Sequence, residues 1–129
     1  HNLGIDKSYH SLSHHGNDEE TIGHLLTLET YQLKQFSKFL TRLSNIQDGE
    51  QKLLDSTAVL FGSGMGNGSS HTNSLLPIVL AGCGYGNGEF KRVPSQGLRK
   101  VPLCNLFVDI AQRVGVRTDS FGTSTGTFS

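Results

Sequence analysis

The sequence lacks an excess of charge of either sign: eleven lysines and arginines stand against eleven aspartates and glutamates, and no run of like charge occurs. That balance removes the cationic footprint that draws a protein to nucleic acid or to an anionic membrane surface, so neither partner is expected. Long apolar runs are missing too. The longest, Leu75 to Ala81 broken by Pro77, and Thr57 to Phe61, fall far short of the ~20 residues of a membrane helix. No membrane span is expected. Cysteine is scarce, and Cys83 and Cys104 each sit beside apolar residues, so two small buried thiols are the first expectation and a disulfide between them stays open. An initiator methionine and a signal peptide are both absent at His1, which reads as a processed chain or a piece of a longer one. Residues 1–129 fit a single domain in length, complete or partial.

What the chain does have is periodicity and glycine. Residues 1–16 show no helical or strand period and read as a loop. Asn17 looks like a helix N-cap, followed by Asp18, Glu19 and Glu20 in the first turn, where the helix dipole favours acids. Behind it Ile22, Leu25, Leu26, Leu33, Phe36, Leu40 and Leu43 recur at threes and fours, which predicts an amphipathic helix over 19–44. Residues 45–49 make a turn, and "GEQKLLDS" predicts a short helix. "TAVLFG" and "LPIVLAG" are apolar runs ending in glycine, as strands buried on both faces would be. After an excursion over 84–100, "VPLCNLFVDIAQRVGV" predicts a helix with Pro102 in its first turn, Gly115 as C-cap, and a buried stripe of Leu103, Leu106, Phe107, Ile110, Ala111 and Val114. The polar tail reads as a surface loop anchored by Phe121. Short apolar strands beside long helices point to an α/β fold, a mixed or mostly parallel sheet flanked by helices.

Three of the six histidines, His10, His14 and His15, crowd into "YHSLSHHGN". His10 and His14 are four apart, the spacing that puts two imidazoles on one helical face and lets them share a zinc ion. A catalytic zinc needs a third protein ligand. His71 is the best candidate; His15, Asp18 and His24 are nearer in sequence. The competing reading has the imidazoles hydrogen-bonding backbone in an irregular segment. His71 closes the loop "GSGMGNGSSH", which leaves the end of a predicted strand, a place where α/β sheets gather ligands. Its glycines, around Ser63, Gly64, Gly66 and Asn67, could let backbone N–H groups converge on an anion, or could serve an ordinary surface loop. The loop matches neither a dinucleotide fingerprint nor a P-loop, so nucleotide binding is set aside. Ser13 beside His14 and Ser63 past the strand end are weak nucleophile candidates, and no G-x-S-x-G elbow exists.

"HSLSHHG" resembles the H-x-x-S-H-H motif of a bacterial family of uncharacterised proteins, the HXXSHH family. The similarity continues through "LLDSTAVLFGSGMGNGSSHTNSLLPIVLAG", "PLCNLFVDIAQRVGV" and "DSFGTSTG". It implies the C-terminal portion of a longer, exported protein of the periplasm or cell envelope, related to the alkaline phosphatase and sulfatase superfamily. In that superfamily a divalent metal cluster activates a nucleophile. The resemblance sets His10 and His14 at the D-x-x-x-H ligand pair, with histidine in place of the aspartate, and His71 at the late histidine. A strand-end acid and histidine expected near Gly62 to Met65 are absent, and the nucleophile segment has no counterpart here. The implied function is metal-dependent hydrolysis of phosphate or sulfate esters, with zinc held by His10, His14 and His71, and His15 or Ser13 as a supporting group or ligand. Loop amides from Ser63 to Asn67 would receive the oxyanion. The alternative is a binding or envelope component that keeps the fold without catalysis. Either reading implies contact with the missing N-terminal half, another chain or a second copy, since a severed sheet exposes an edge and an apolar face.

Overall fold

The computed structural model describes residues 3–86, 88–94 and 100–128. Asn87 and residues 95–99 of the expected excursion lie outside the described residues.

The segment expected to be a loop carries a short helix, α1 (Tyr9–Ser13), capped by Ser8, whose hydroxyl accepts from the Ser11 N–H. The reason is tertiary: α1 turns Leu12 inward to full burial, an anchor invisible to a window too short to show a period. The long helix α2 (Glu19–Asn45) starts within the predicted turn, but its cap is Asp18, whose carboxylate accepts from the Thr21 N–H at 2.9 Å. Asn17 instead takes a left-handed φ of 67° and turns the chain out of α1 into α2. Lys7 Nζ donates to Thr21 Oγ1 at 3.0 Å and the Tyr9 hydroxyl donates to Glu29 Oε1 at 3.1 Å, so α1 lies along the first turns of α2.

Past α2 the chain makes a two-residue-per-strand hairpin, β1 (Gln47–Asp48) with β2 (Gln51–Lys52), turning at Gly49 with φ 61°. Only the second half of the short helix predicted from "GEQKLLDS" is helical, as α3 (Leu53–Ser56); residues 49–52 are taken up by the hairpin turn and β2. The two apolar runs become β3 (Val59–Gly62) and β4 (Ile78–Ala81). They pair antiparallel, Leu60 opposite Leu80 and Phe61 opposite Val79. This departs from the expected mixed or mostly parallel sheet: the described sheets are two-stranded and antiparallel. A parallel pair needs a crossover, usually helical, whereas here residues 63–77 fold on themselves and lead straight back beside β3. The strands are also not buried on both faces, since Leu60 and Val79 stay 42% and 43% exposed. Phe61 stacks on Phe36 of α2 with centroids 4.8 Å apart, joining sheet to helix.

The last helix, α4 (Leu103–Arg113), begins one residue after Pro102, and Gly115 follows its end with φ 88°. Its most buried residues are Asn105, Leu106 and Val108, while Val114, assigned by periodicity to the stripe, is exposed because it already belongs to the unwinding end. Asn105 is buried for a polar reason: its side chain accepts from the Thr125 N–H at 2.8 Å and donates to Thr127 O at 3.3 Å, tying the tail onto α4. Phe121 meets Phe107 edge-on, yet remains more than half exposed. Both cysteines are unpaired and half-buried; Cys83 stands beside the C-terminal end of α4 and Cys104 in its first turn. Among the described residues no helix is long and apolar enough to cross a membrane.

Candidate metal centre

The site grows from α1. With Leu12 inward, His10 and His14 share the outward side, and their rings meet edge-on with centroids 4.8 Å apart. His14 is the residue at which the helix ends, φ −94°. The Ser13 hydroxyl donates to His10 O at 2.8 Å, so it serves the helix end and is no partner to His14. His15 turns elsewhere, its Nδ1 accepting from the Asn17 N–H at 3.1 Å.

The third histidine comes from the glycine-rich loop. Gly66 N–H donates to Thr72 O at 2.8 Å, and Asn67 and Thr72 form an antiparallel bridge. Inside that closure the Asn67 side-chain oxygen accepts from both the N–H and the hydroxyl of Ser70. His71 is left with φ 52°, a left-handed conformation that costs an ordinary residue about 1–2 kcal/mol. The result is contact across 57 residues of chain: His71 Nε2 lies 3.2 Å from His14 Nε2, with ring centroids 4.9 Å apart.

A separation of 3.2 Å has two chemical meanings. In the metal-free protein it is an imidazole–imidazole hydrogen bond, one ring carrying the proton. It is also the bite that an ion requires: two nitrogens at 2.0–2.1 Å from a tetrahedral zinc stand about 3.3 Å apart. Two borderline nitrogen donors suit zinc better than magnesium or calcium, which take oxygen. His10 meets His14 edge-on without completing the pair, and among the described residues no group of three or more His, Cys, Asp or Glu is arranged to hold a metal ion. The prepared element is therefore the His14–His71 pair, to which His10 would have to turn. Asp18 caps α2 and is committed there, its carboxyl held below the ordinary carboxylate range by the hydrogen bonds from Thr21. His24 sits on α2 with its Nδ1 buried and unpartnered.

The loop proposed for the oxyanion is arranged differently. Ser63 N–H donates to Pro77 O, Met65 N–H to the Ser63 hydroxyl and Gly66 N–H to Thr72 O. Those amides hold the loop's own shape, and Asn67 is spent on Ser70 and the bridge to Thr72. Gly64 alone of the four named residues has no such bond described. An open groove of about 750 Å³ is walled by Tyr9, Phe36, Phe39 and Phe61, and its lining includes Ser63 and Gly64 of the loop and no charged side chain.

No protein-family model, curated protein or solved structure matches this chain. Of the residues that position His71, Gly66 was expected only as an amide for an anion, and Gly68 and Thr72 were passed over. The one signal that could have marked them is the alternation of glycine at 62, 64, 66 and 68, which indicates close backbone approach without saying to what.

Proposed function

We propose that His14 and His71, joined by His10, hold a divalent ion of the zinc type, and that the chain is the metal-binding portion of an exported, alkaline phosphatase-like hydrolase of phosphate or sulfate esters. The observation that carries the metal site is the 3.2 Å separation of two ring nitrogens drawn from α1 and a distant loop. The ester class, the α/β parent fold and the periplasmic or envelope location rest on the resemblance of "HSLSHHG" and the segments after it. When bound, the ion supplies a Lewis acid for an ester oxygen. The chain's own contribution is to gather imidazoles on a short helix and a closed loop, with His15 and Ser13 bracing the helix end.

A second reading, a binding or envelope component without catalysis, is favoured by the amides of Ser63, Met65 and Gly66, which are already engaged, and by the uncharged aromatic groove. In both readings a further polypeptide, or a second copy, covers the apolar side chains left open on α2, among them Leu26 and Leu33.

Metal content of the chelator-rinsed protein, measured by mass spectrometry beside an assay with aryl phosphate and aryl sulfate, tests both. About one zinc per chain is expected in the wild type, none in His14→Ala or His71→Ala, and a reduced amount in His10→Ala. Turnover abolished by chelation supports the hydrolase; metal without turnover supports the binding component. A folded wild type without metal overturns the metal site.

A further inference from the structure

We infer that Gly68 is a positioning residue: the bare backbone there lets the glycine-rich loop seat on α1 and so sets the distance between His71 and His14. The inference rests on the metal-site reading for its consequence, though not for its geometry. A Cβ built on Gly68 would lie 2.8 Å from Ser13 Cβ and 3.0 Å from Ser13 O. Real carbon contacts do not come this close, and both neighbours are held, since Ser13 is the last residue of α1 and its hydroxyl is bonded to His10 O. Any side chain at position 68 must therefore push the loop away from the helix that carries His10 and His14.

The push would reach His71 because the loop moves as a unit. Gly66 N–H to Thr72 O, the bridge of Asn67 with Thr72, and the bonds of Ser70 to the Asn67 side chain close a ring of contacts around residues 66–72, and His71 lies within it. A Cβ on Gly66 would fall on the Ser74 carbonyl oxygen, so that glycine keeps the ring closed while Gly68 docks it. Gly64 belongs to the same loop, but a Cβ there would meet nothing within 4 Å. The same substitution at two nearby glycines thus separates docking from flexibility.

The experiment compares wild type, Gly64→Ala, Gly68→Ala and Ser13→Gly/Gly68→Ala by two readouts: zinc affinity by competition with a chromogenic chelator, and the nuclear Overhauser contact between the ring protons of His14 and His71 in metal-free protein. Expected are wild-type behaviour for Gly64→Ala and, for Gly68→Ala, a lost ring contact with affinity down about 10- to 100-fold, the range for removing support from a ligand. The double variant removes the Ser13 Cβ, the nearest atom the new methyl would strike, and leaves Ser13 O at 3.0 Å, so it is expected to regain the ring contact and part of the affinity. If Gly68→Ala fails to fold, the double variant decides alone: a folded protein with the contact supports the inference and one without it overturns it. Gly68→Ala that keeps both contact and affinity also overturns it. If wild type binds no zinc, the metal reading falls, and the ring contact still decides the role of Gly68.

Discussion

Tyr85 illustrates how much rests on single side chains in this protein. Its hydroxyl donates to Asp109 Oδ2 at 2.5 Å, the Arg113 guanidinium lies 4.0 Å above its ring, and Arg113 also donates to Cys83 O. These contacts hold the turn after β4 against α4. Burial, then the hydrogen bond and charge of Asp109, push the Tyr85 phenol well above its ordinary range. A raised phenol value means that the folded state favours the neutral form. Its stabilisation is complete below the ordinary value of about 10 and is lost as pH rises through the folded value. Tyr85→Phe is expected to cost about 1 kcal/mol in urea unfolding at neutral pH. The gap to wild type should narrow in strongly alkaline buffer; a gap that does not change there would mean the phenol proton plays no part. Asp109 and Arg113 stand four apart, a spacing that brings them to one helical face, but that spacing does not name a third partner. Tyr85 stands among glycines with no period, so nothing local announced it.

At the scale of the element, the two long helices were legible, whereas α1 and the first half of the predicted short helix were not. The run of apolar residues at threes and fours located α2 and α4 because that pattern depends on residues within one or two turns. The cap of α2 was misplaced by one position, because Asn17 and Asp18 are both good caps and only the path out of α1, with Asn17 left-handed, decides between them. Asp18 carries a test. Its carboxyl is held below the ordinary value by the bonds from Thr21, so its contribution is present above about pH 4 and is lost as pH falls through the lower, folded value. Circular dichroism melts taken between neutral pH and pH 2 are expected to show α2 of wild type losing more than that of Asp18→Asn, which keeps a cap without an ionisable group. Equal losses would assign the acid sensitivity elsewhere. The strands were found, but not their partners, since an apolar run of four looks the same whichever direction its neighbour takes.

Across the whole molecule, the buried apolar side chains among the described residues are few: Leu12, Leu43, Leu106 and Val108. Each contributes a large share of a stability that for most domains totals about 5–15 kcal/mol. Leu12 is the most consequential, because it fastens α1 and with it His10 and His14. Leu12→Ala is expected to cost about 2–5 kcal/mol in denaturant unfolding and to release the ring contact between His14 and His71. Retention of that contact would show that the loop alone orients His14. By itself the sequence determined the balance of charge, the helices α2 and α4, the two apolar strands and the spacing of His10 and His14, because each is read from composition or from neighbours a few residues away. Only the tertiary structure decided that β3 and β4 run antiparallel, that Leu12 is the anchor and that His71 meets His14. Those outcomes depend on how a loop of fifteen residues, 63–77, folds back on itself and on which backbone it can approach, and a linear pattern carries no record of either.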